Sequence, residues 1–328
     1  MGGTRRAPVP TNRRSGRGRQ APSPGRPRRD RPLMARRKID GVLLLDKPAG
    51  MTSNQALQKS RWLFNAEKAG HTGTLDPFAT GLLPLCLGEA TKFSQFLLNA
   101  DKTYWAEIEL GVRTSTGDPE GTILETRPVT VGRADIERVL PLFIGDLLQI
   151  PPMHSALKRD GRPLYEYARK GIELDRAARP VVVHSLDLLS LDANRLIVRV
   201  HCGKGLYVRT LAEDIGAALA CGAHLKALRR EQSGAFDIAD AVSLDALAAL
   251  APEDRDRWLK PADCLVESLP RLDLDIEAAW QMSHGQAIWH TGLTVGERLR
   301  VYDPTGRFLG VAEVDQEGKA APRRLLAN

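Results

Sequence analysis

The apolar pattern of this chain predicts both helices and strands, without a regular repeat of strand, helix and strand. Residues 39–50, IDGVLLLDKPAG, predict a buried strand that ends in a Pro-Gly turn. A helix over NQALQKSRWLF follows, with Ser53 or Asn54 as its N-cap, and KTYWAEIELG predicts an alternating strand. Because parallel strands need a crossover connection, usually a helix, this irregular order favours an α+β fold with a mixed, mainly antiparallel sheet.

The rest of the chain extends this prediction to two folded domains. Short helices are expected over GEATKFSQFLLNA, ADIERVLPLFIG and TLAEDIGAALA, and paired strands over PVVVHSLDLLSL and RLIVRVHC. Apolar periodicity is lost near residues 265–272, and beyond them ERLRVYDPTGRFLGVAEV predicts a hairpin. We therefore expect a first domain over residues 39–268 and a small, mostly β domain over residues 269–328.

The net charge of +7 is distributed unevenly along the 328 residues. Residues 1–38 hold 13 Lys and Arg against one acidic residue, Asp30, and are rich in Pro and Gly. Such a segment buries too little apolar surface to offset the entropy of ordering, so it predicts a disordered tail, within which Met34 offers an alternative start. The remaining residues carry 34 basic and 39 acidic side chains, so any nucleic-acid binding by the folded part must come from local clusters.

Several classes of protein are disfavoured by the composition. No run approaches the ~18 apolar residues of a membrane span, and the tail lacks the apolar segment of a signal peptide. Four cysteines without a disulfide pattern indicate a reducing cytoplasm. A Gly-Lys-Ser/Thr phosphate loop is absent, which counts against a kinase or NTPase.

One set of residues raises the question of zinc: His201, Cys202, Cys221 and His224. His201 and Cys202 are adjacent on a predicted strand, so their side chains point to opposite faces. Structural zinc ligands are normally spaced by two or more residues. We therefore predict a core cysteine and a surface histidine here, and no metal site.

Residues 70–81, GHTGTLDPFATG, hold a single carboxylate, Asp76, in a loop rich in Gly and Thr. Acid–base hydrolysis usually needs two carboxylates, or a carboxylate and a histidine, with different pKa values. In GLYVRT, Tyr207 and Arg209 would share a face if the segment is extended, and Arg209 would orient Asp76 and keep it ionised. The alternative is that Asp76 is a turn residue that accepts backbone hydrogen bonds, and the residues alone favour this alternative.

A basic and aromatic segment, IPPMHSALKRDGRPLYEYARKGIEL, covers residues 150–174. Its cations could meet phosphates while its rings stack on bases, or the segment could be a loop and a solvated helix face. Composition does not decide between the two. The side chains concerned are His154, Lys158, Arg159, Arg162, Tyr165, Tyr167, Arg169 and Lys170.

Seven stretches make the chain similar to a known family. They occur in the family's order, and GHTGTLDPxATG is highly specific. On these stretches the chain resembles the TruB family of pseudouridine synthases from about Asp40 to its C-terminus, and GKAAPRRLL resembles the end of the family's PUA-type module. The stretches are GVLLLDKPAGMTSN, AGHTGTLDPFATGLLPLCLGEATKF, DKTYWAEIELG, RTSTGDPEG, QIPPMHSALKRDGRPLYEYARKG, CGKGLYVRTLAEDIG and GAHLKALRR.

The resemblance implies an isomerase that acts on uridine 55 in the T loop of tRNA. Such an enzyme detaches uracil from its ribose, turns it and rejoins it through carbon, and the family needs no metal and no cofactor. The position of the catalytic nucleophile matches Asp76, and Arg209 matches the arginine that pairs with it. One carboxylate suffices for a nucleophile because no water has to be activated.

Other site residues are implied by the same resemblance. His71 matches the residue that props the loop open once the base has flipped out of its stack. Tyr104 matches the tyrosine that stacks on the flipped base and takes the C5 proton, although a phenol with a pKa near ~10 needs local help to act as a base. Tyr207 and Leu228 match positions of the substrate pocket, and Lys47 in GVLLLDKPAGMTSN is assigned to substrate binding.

The resemblance also implies the partners. Residues 152–180 correspond to an insertion that clamps RNA, and residues 269–328 to a PUA-like RNA-binding domain, so the expected partner is the T arm of tRNA. We expect a cytoplasmic monomer with no membrane contact and no obligate protein partner. Two alternatives remain: an RNA-binding or RNA-folding protein whose catalysis is dispensable, and a synthase for another uridine or RNA, like the guide-RNA-directed relatives.

Overall fold

The computed structural model describes residues 1–3 and 35–327, and the chain divides into the units Met1–Ala35 and Arg36–Asn328. Most of the tail that we predict to be disordered, residues 4–34, lies outside the described residues. The folded unit begins slightly earlier than composition indicates. The amide of Arg37 donates to the carbonyl of Asn65 at 2.7 Å, and its guanidinium pairs with Asp256 at 2.5 Å. Local composition does not reveal these contacts, because Asn65 and Asp256 are far from Arg37 in the sequence.

Residues 36–268 form a mixed domain of short helices and strands. Its strands are β1 Gly41–Lys47, β2 Ala69–His71, β3 Thr80–Leu87, β4 Lys102–Leu110, β5 Val112–Thr114, β6 Ile123–Thr126, β7 Gly145–Gln149, β8 Lys158–Arg159, β9 Arg162–Pro163, β10 Arg179–Asp192, β11 Arg195–Cys202, β12 Ala223–Ser233, β13 Phe236–Asp237, β14 Val242–Ser243 and β15 Leu259–Lys260. Its α-helices are α1 Ser53–Leu63, α2 Ser94–Leu98, α3 Arg133–Val139, α4 Leu164–Ala168, α5 Val208–Ala218 and α6 Leu244–Ala249. Turns of 3₁₀ helix cover Gly88–Phe93, Leu140–Phe143, Ile238–Asp240, Pro252–Asp254, Asp256–Trp258 and Ala262–Val266.

An eleven-stranded sheet organises this domain, with the order β14-β1-β3-β12-β4-β11-β10-β7 along its main path. Only the β1–β14 and β3–β12 pairs are parallel among the described strands of this sheet, which confirms the prediction of a mainly antiparallel α+β fold. The central strand β12 was not predicted from periodicity. Bulges between Leu225 and Ala227 and between Arg230 and Gln232 interrupt its alternation, so no period of two is visible in the sequence.

The helices and strands that were predicted lie close to their expected positions, with two differences at helix starts. The N-cap of α1 is Thr52, whose hydroxyl accepts from the amide of Gln55 at 3.1 Å, in place of the expected Ser53 or Asn54. The Gln55 side chain accepts in turn from the Thr52 amide, completing a capping box that makes Thr52 the better cap. The segment over residues 88–98 begins as 3₁₀ helix and becomes α-helical only at Ser94.

Residues 269–327 form a small, mostly β domain around a five-stranded sheet in the order β16-β18-β19-β20-β17. The predicted hairpin is present as β18 and β19, and this domain shares an apolar cluster with β1, in which Tyr302 and Phe308 pack with Val42 and Leu44. None of the helices in the described part of the chain has the length and apolar content to span a bilayer. The elements are β16 Arg271–Asp273, α7 Ile276–Ser283, β17 Ile288–Trp289, β18 Arg298–Tyr302, β19 Phe308–Val314 and β20 Lys319–Leu325.

Candidate active site

The loop that carries Asp76 runs between β2 and β3 and is held by the segment that joins β1 to α1. The hydroxyl of Ser53 donates to the carbonyl of Leu75 at 3.0 Å and accepts from the Leu75 amide at 2.8 Å. On the other side of Asp76, the amide of Gly50 donates to the carbonyl of Pro77 at 2.8 Å. The backbone is therefore tied down on both sides of the carboxylate, which fixes its position.

Arg209 contacts Asp76 through two nitrogen atoms. Its Nε lies 3.0 Å from Oδ2, and its Nη2 donates to Oδ1 at 3.3 Å. The structure thus brings together the two residues that the sequence paired, but the backbone at Arg209 is helical and not extended. Tyr207 is the N-cap of α5 and the helix begins at Val208, so the extended segment on which the two residues would share a face is not present. The apolar face of α5 packs into the main core and places Arg209 in the first turn of a helix.

Sequence reasoning missed a second carboxylate on Arg209. Asp118 lies in RTSTGDPEG, and its Oδ2 is 3.2 Å from Arg209 Nη1. Its other oxygen, Oδ1, accepts from the amide of Glu120 at 3.0 Å. The only available signal was that RTSTGDPEG belongs to the stretches carrying the family likeness, since Asp118 and Arg209 are 91 residues apart.

The two carboxylates differ in their access to solvent. The side chain of Asp76 is 31% exposed, whereas the side chains of Asp118 and Arg209 are each 4% exposed. Burial is the main cause that raises the pKa of Asp76, and the charge of Asp118 adds to the rise. Arg209 and Lys47 act in the opposite direction and favour the carboxylate. The site therefore holds one accessible carboxylate with a raised pKa and one buried carboxylate that positions the arginine.

Both predicted tyrosines lie within electrostatic range of Asp76, because its charge contributes to raising the pKa of Tyr104 and of Tyr207. Burial is the largest cause in each case. Tyr104 is on β4 and packs against the main apolar core. The backbone of Tyr207 is held by Gln149, whose Oε1 accepts from the Tyr207 amide at 2.7 Å and whose Nε2 donates to its carbonyl at 3.1 Å.

The two other predicted pocket residues lie on strands that flank the loop. Leu228 is 8% exposed on β12, and its carbonyl accepts from the hydroxyl of Thr80 at 3.4 Å. His71 is on β2, and its Nδ1 is buried without a hydrogen-bond partner among the described residues. Burial, followed by the nearby charge of Arg230, lowers the pKa of His71. Its imidazole is therefore neutral at pH 7, which suits contact with bases better than contact with phosphates.

Lys47 is fully buried at the end of β1. Its Nζ donates to the carbonyls of Pro48 at 2.8 Å, Met51 at 2.6 Å and Pro77 at 3.3 Å, which uses all three ammonium hydrogens. Burial lowers the pKa of Lys47 to about 8. The geometry thus favours a role in fixing the Asp76 loop over the substrate contact expected from the sequence.

The residues considered for zinc do not form one cluster in the described part of the chain. Cys202 and Cys221 are buried core residues, and His224 Nδ1 lies 3.0 Å from the carbonyl of Val112. His201 is instead near His184 and Asp101, whose donor atoms all lie within 4.8 Å of one another. Within that set, His184 Nε2 and Asp101 Oδ2 already form a pair at 3.3 Å. It shares no residue with the Asp76 network.

The predicted clamp, residues 152–180, starts beside Arg209. The carbonyl of His154 accepts from Arg209 Nη2 at 2.7 Å. Beyond it, β8 and β9 form a short hairpin, and Arg169 lies over the ring of Tyr165 at 5.2 Å. The clamp's exposed cations include Lys158, Arg159 and Arg162. The basic side chains are thus presented to solvent on a segment that contacts the site through its backbone.

Family models match nearly all of the folded part. Residues 61–208 match the model described as TruB family pseudouridylate synthase (N terminal domain). Residues 209–267 match the tRNA pseudouridylate synthase B C-terminal domain, and residues 270–326 match Pseudouridine synthase II TruB, C-terminal.

The relatives of nearly equal length share the name tRNA pseudouridine synthase B. A protein of Thiobacillus denitrificans named tRNA pseudouridine synthase B is 56% identical over 293 residues, which cover 89% of this chain and 98% of the relative. Proteins with the same name from Pseudomonas aeruginosa and Burkholderia mallei are each 54% identical, over 295 and 302 residues. These matches cover 89% and 90% of this chain, and 97% of each relative.

Solved structures with this fold are more distant in sequence. A chain in the crystal structure of a Cbf5-Nop10-Gar1 complex is 27% identical with a TM-score of 0.65, covering 88% of this chain and 84% of that chain. A chain in the structure of an H/ACA RNP bound to a substrate RNA containing 2'-deoxyuridine is 25% identical with a TM-score of 0.64, at the same coverage.

Proposed function

Since the chain belongs to the TruB family of pseudouridine synthases and isomerises uridine in tRNA to pseudouridine, we propose that it acts on uridine 55 in the T loop with Asp76 as the nucleophile. The observation that carries the proposal is the difference between the two carboxylates on Arg209. A nucleophile has to meet the flipped nucleoside, and only Asp76 combines the arginine contact with solvent access, at 31% exposure against 4% for Asp118. The bidentate contact with Arg209 supplies the orientation that attack requires.

The surroundings of Asp76 support a site for a flipped base. A base stacked in the T loop is out of reach of any side chain, so the nucleotide has to leave the stack. Tyr104 and Tyr207 offer aromatic rings within electrostatic range of Asp76, and Leu228 offers an apolar wall. The neutral imidazole of His71 is suited to occupy the space that the flipped base leaves in the T loop.

RNA binding is proposed to come from residues 152–180 and 269–328. The first segment presents exposed cations, and its His154 carbonyl contacts Arg209, so RNA held by the segment would lie beside the nucleophile. The second forms the mostly β domain that matches the family's C-terminal model. Local contacts of this kind fit a folded part with 34 basic and 39 acidic residues.

The alternative of a guide-RNA-directed synthase is less well supported. The relatives that match over 97% of their length are named as tRNA enzymes, whereas the Cbf5 complex contains a chain that is 27% identical. We therefore propose a cytoplasmic monomer that needs no obligate protein partner. Its mass in solution, measured by light scattering with and without tRNA, tests this.

The nucleophile and the target are tested together by mapping pseudouridine in an unmodified tRNA transcript. A carbodiimide adduct followed by primer extension should give a stop at position 55 with the wild-type protein and none with Asp76→Asn. Asp187→Asn is the matched control, because Asp187 is an exposed carboxylate on β10 outside the site. A stop that survives Asp76→Asn would rule out the nucleophile, and a stop at another uridine would rule out the T-loop target.

A further inference from the structure

Arg230 is a buried cation that the chemistry described so far does not use. It is 1% exposed on β12, where its Nε donates to the carbonyl of Leu82 at 2.6 Å and its Nη2 to that of Gly73 at 3.4 Å. Both acceptors are neutral, and among the described residues no carboxylate forms an ion pair with it. A buried charge without a counter-charge is strongly destabilising, even after relaxation of its surroundings. A buried cation without a carboxylate partner, beside the Asp76 loop, is therefore available to stabilise a negative charge that forms there.

The sheet register places Arg230 beside Tyr104. The two residues are directly opposite each other on the antiparallel strands β12 and β4. Opposite residues on such a pair project to the same face with Cβ atoms about 4.5–5.5 Å apart. Leu228, two positions before Arg230, lies on the same face. The pocket wall thus pairs a phenol with a guanidinium that lacks a carboxylate.

We propose that Arg230 is a positioning residue that holds the hydroxyl of Tyr104 and stabilises its phenolate, so that Tyr104 can take the C5 proton of the rejoined uracil. This inference rests on the proposed function. It supplies the local help that a phenol needs to act as a base at neutral pH. A cation is the appropriate partner because the phenolate is negative only in the form that accepts the proton.

The step balances without any co-reactant. Once ribose is joined to C5, the C5–H bond breaks and its proton passes to the Tyr104 phenolate. The electron pair of that bond becomes the C5–C6 double bond, the π pair of the N1–C6 double bond moves onto N1, and N1 takes a proton from water. The Tyr104 phenol then loses its proton to solvent. If Asp76 is still bonded to C6 of the ring, that C–O bond breaks as the double bond forms, and its electron pair returns to the carboxylate.

The groups around Tyr104 explain why Arg230 is needed. Burial raises the pKa of Tyr104, and the nearby Cys202 and Asp76 add to the rise. Arg230 lowers that pKa, mainly through its charge, and it is the main group opposing the rise. Without Arg230, burial, Cys202 and Asp76 would all raise the pKa of Tyr104. The phenolate would then form only at higher pH.

The test is a single-turnover reaction on tRNA transcripts made with 5-deuterouridine or ordinary uridine, at saturating enzyme. In Arg230→Gln, release of the C5 hydrogen should slow by about 10- to 100-fold, the range of a hydrogen bond to a charged group. A primary deuterium isotope effect should grow above the wild-type value, and the rate should continue to rise to higher pH. Arg230→Lys keeps the charge and should recover part of the rate.

Arg229→Gln is the matched control, since Arg229 is the neighbouring residue of β12 but pairs with Asp46 at 2.8 Å. It should leave the isotope effect at the wild-type value. Tyr104→Phe keeps Arg230 in place and should show the same slow release as Arg230→Gln. If Arg230→Gln instead weakens tRNA binding with no change in the isotope effect, Arg230 contacts a phosphate and the proposal is wrong.

Two results separate this inference from the proposed function. Activity that survives Asp76→Asn would defeat the nucleophile, whatever Arg230 does. Wild-type release of the C5 hydrogen by Tyr104→Phe would overturn the role of Arg230 while leaving Asp76 untouched. That second measurement holds even if both Arg230 variants fail to fold.

Discussion

The Nε of Arg209 lies 3.0 Å from Oδ2 of Asp76, and the guanidinium edge that remains is occupied by Asp118 at 3.2 Å. A single cation therefore links an accessible carboxylate to a buried one. Because the guanidinium is planar and its donors are fixed, the position of Asp118 sets the direction in which Arg209 faces Asp76. We expect Asp118 to act on the reaction through Arg209, because its own side chain is only 4% exposed.

The variant Asp118→Asn should lower kcat by about 10- to 100-fold, because a hydrogen bond to a charged group is worth about 1.5–3 kcal/mol. The KM for tRNA should change little, since Asp118 is buried and offers almost no surface for an RNA contact. Steady-state kinetics on a tRNA transcript provide kcat and KM, with Asp187→Asn as the exposed control. A kcat equal to that of the wild type would show that Arg209 needs no second carboxylate.

The acid limb of kcat/KM should reflect the ionisation of Asp76, which has to be a carboxylate to attack. Burial raises its pKa, so activity should fall with decreasing pH at a higher pH than the ordinary value of about 3.9 implies. The charge of Asp118 contributes to that rise. The Asp118→Asn variant should therefore lose its remaining activity at a lower pH than the wild type does. A pH series on the two proteins checks this, and a limb that moves upward would contradict it.

Gly81 should not tolerate a side chain. Its φ of +102° is rarely adopted by other residues, and a Cβ there would lie 2.4 Å from the carbonyl oxygen of Arg230. Gly81→Ala should therefore cost about 3 kcal/mol or more of folding free energy, from backbone strain and from the clash with β12. Gly161→Ala is the matched control, with a φ of +79° and open space around the Cβ, and should cost only about 1–2 kcal/mol. Thermal unfolding of both variants measures the difference, and equal losses would refute the close approach.

Binding of tRNA should weaken steeply as salt rises, because phosphate contacts release counterions. Arg162 is exposed in the predicted clamp, and removing one phosphate contact should reduce the slope of log K against log salt by roughly 0.7–0.9. Arg162→Gln should therefore flatten the slope. Arg133→Gln, in a pair with Glu137 on α3, should leave it unchanged. If the wild type, Arg162→Gln and Arg133→Gln have the same slope, Arg162 does not contact a phosphate of the RNA.

Local patterns in the sequence were sufficient to predict β1, β4, β10, β11 and the hairpin of β18 and β19. Each has either a continuous apolar run or a period of two, and such patterns depend only on neighbouring residues. The motif GHTGTLDPFATG likewise identified Asp76, and the order of the seven stretches identified the family. What the sequence determined by itself was therefore the longer, regularly patterned elements, the fold class and the loop position of the candidate nucleophile.

Only the tertiary structure decided which side chains meet. Asp76 and Arg209 are separated by 133 residues and Asp118 and Arg209 by 91, and no local pattern records such contacts. The same holds for β12, whose bulges hide its alternation while its pairing with β4 sets Arg230 opposite Tyr104. Periodicity reports which face of an element is apolar, whereas register and packing between distant strands determine which charges share one site.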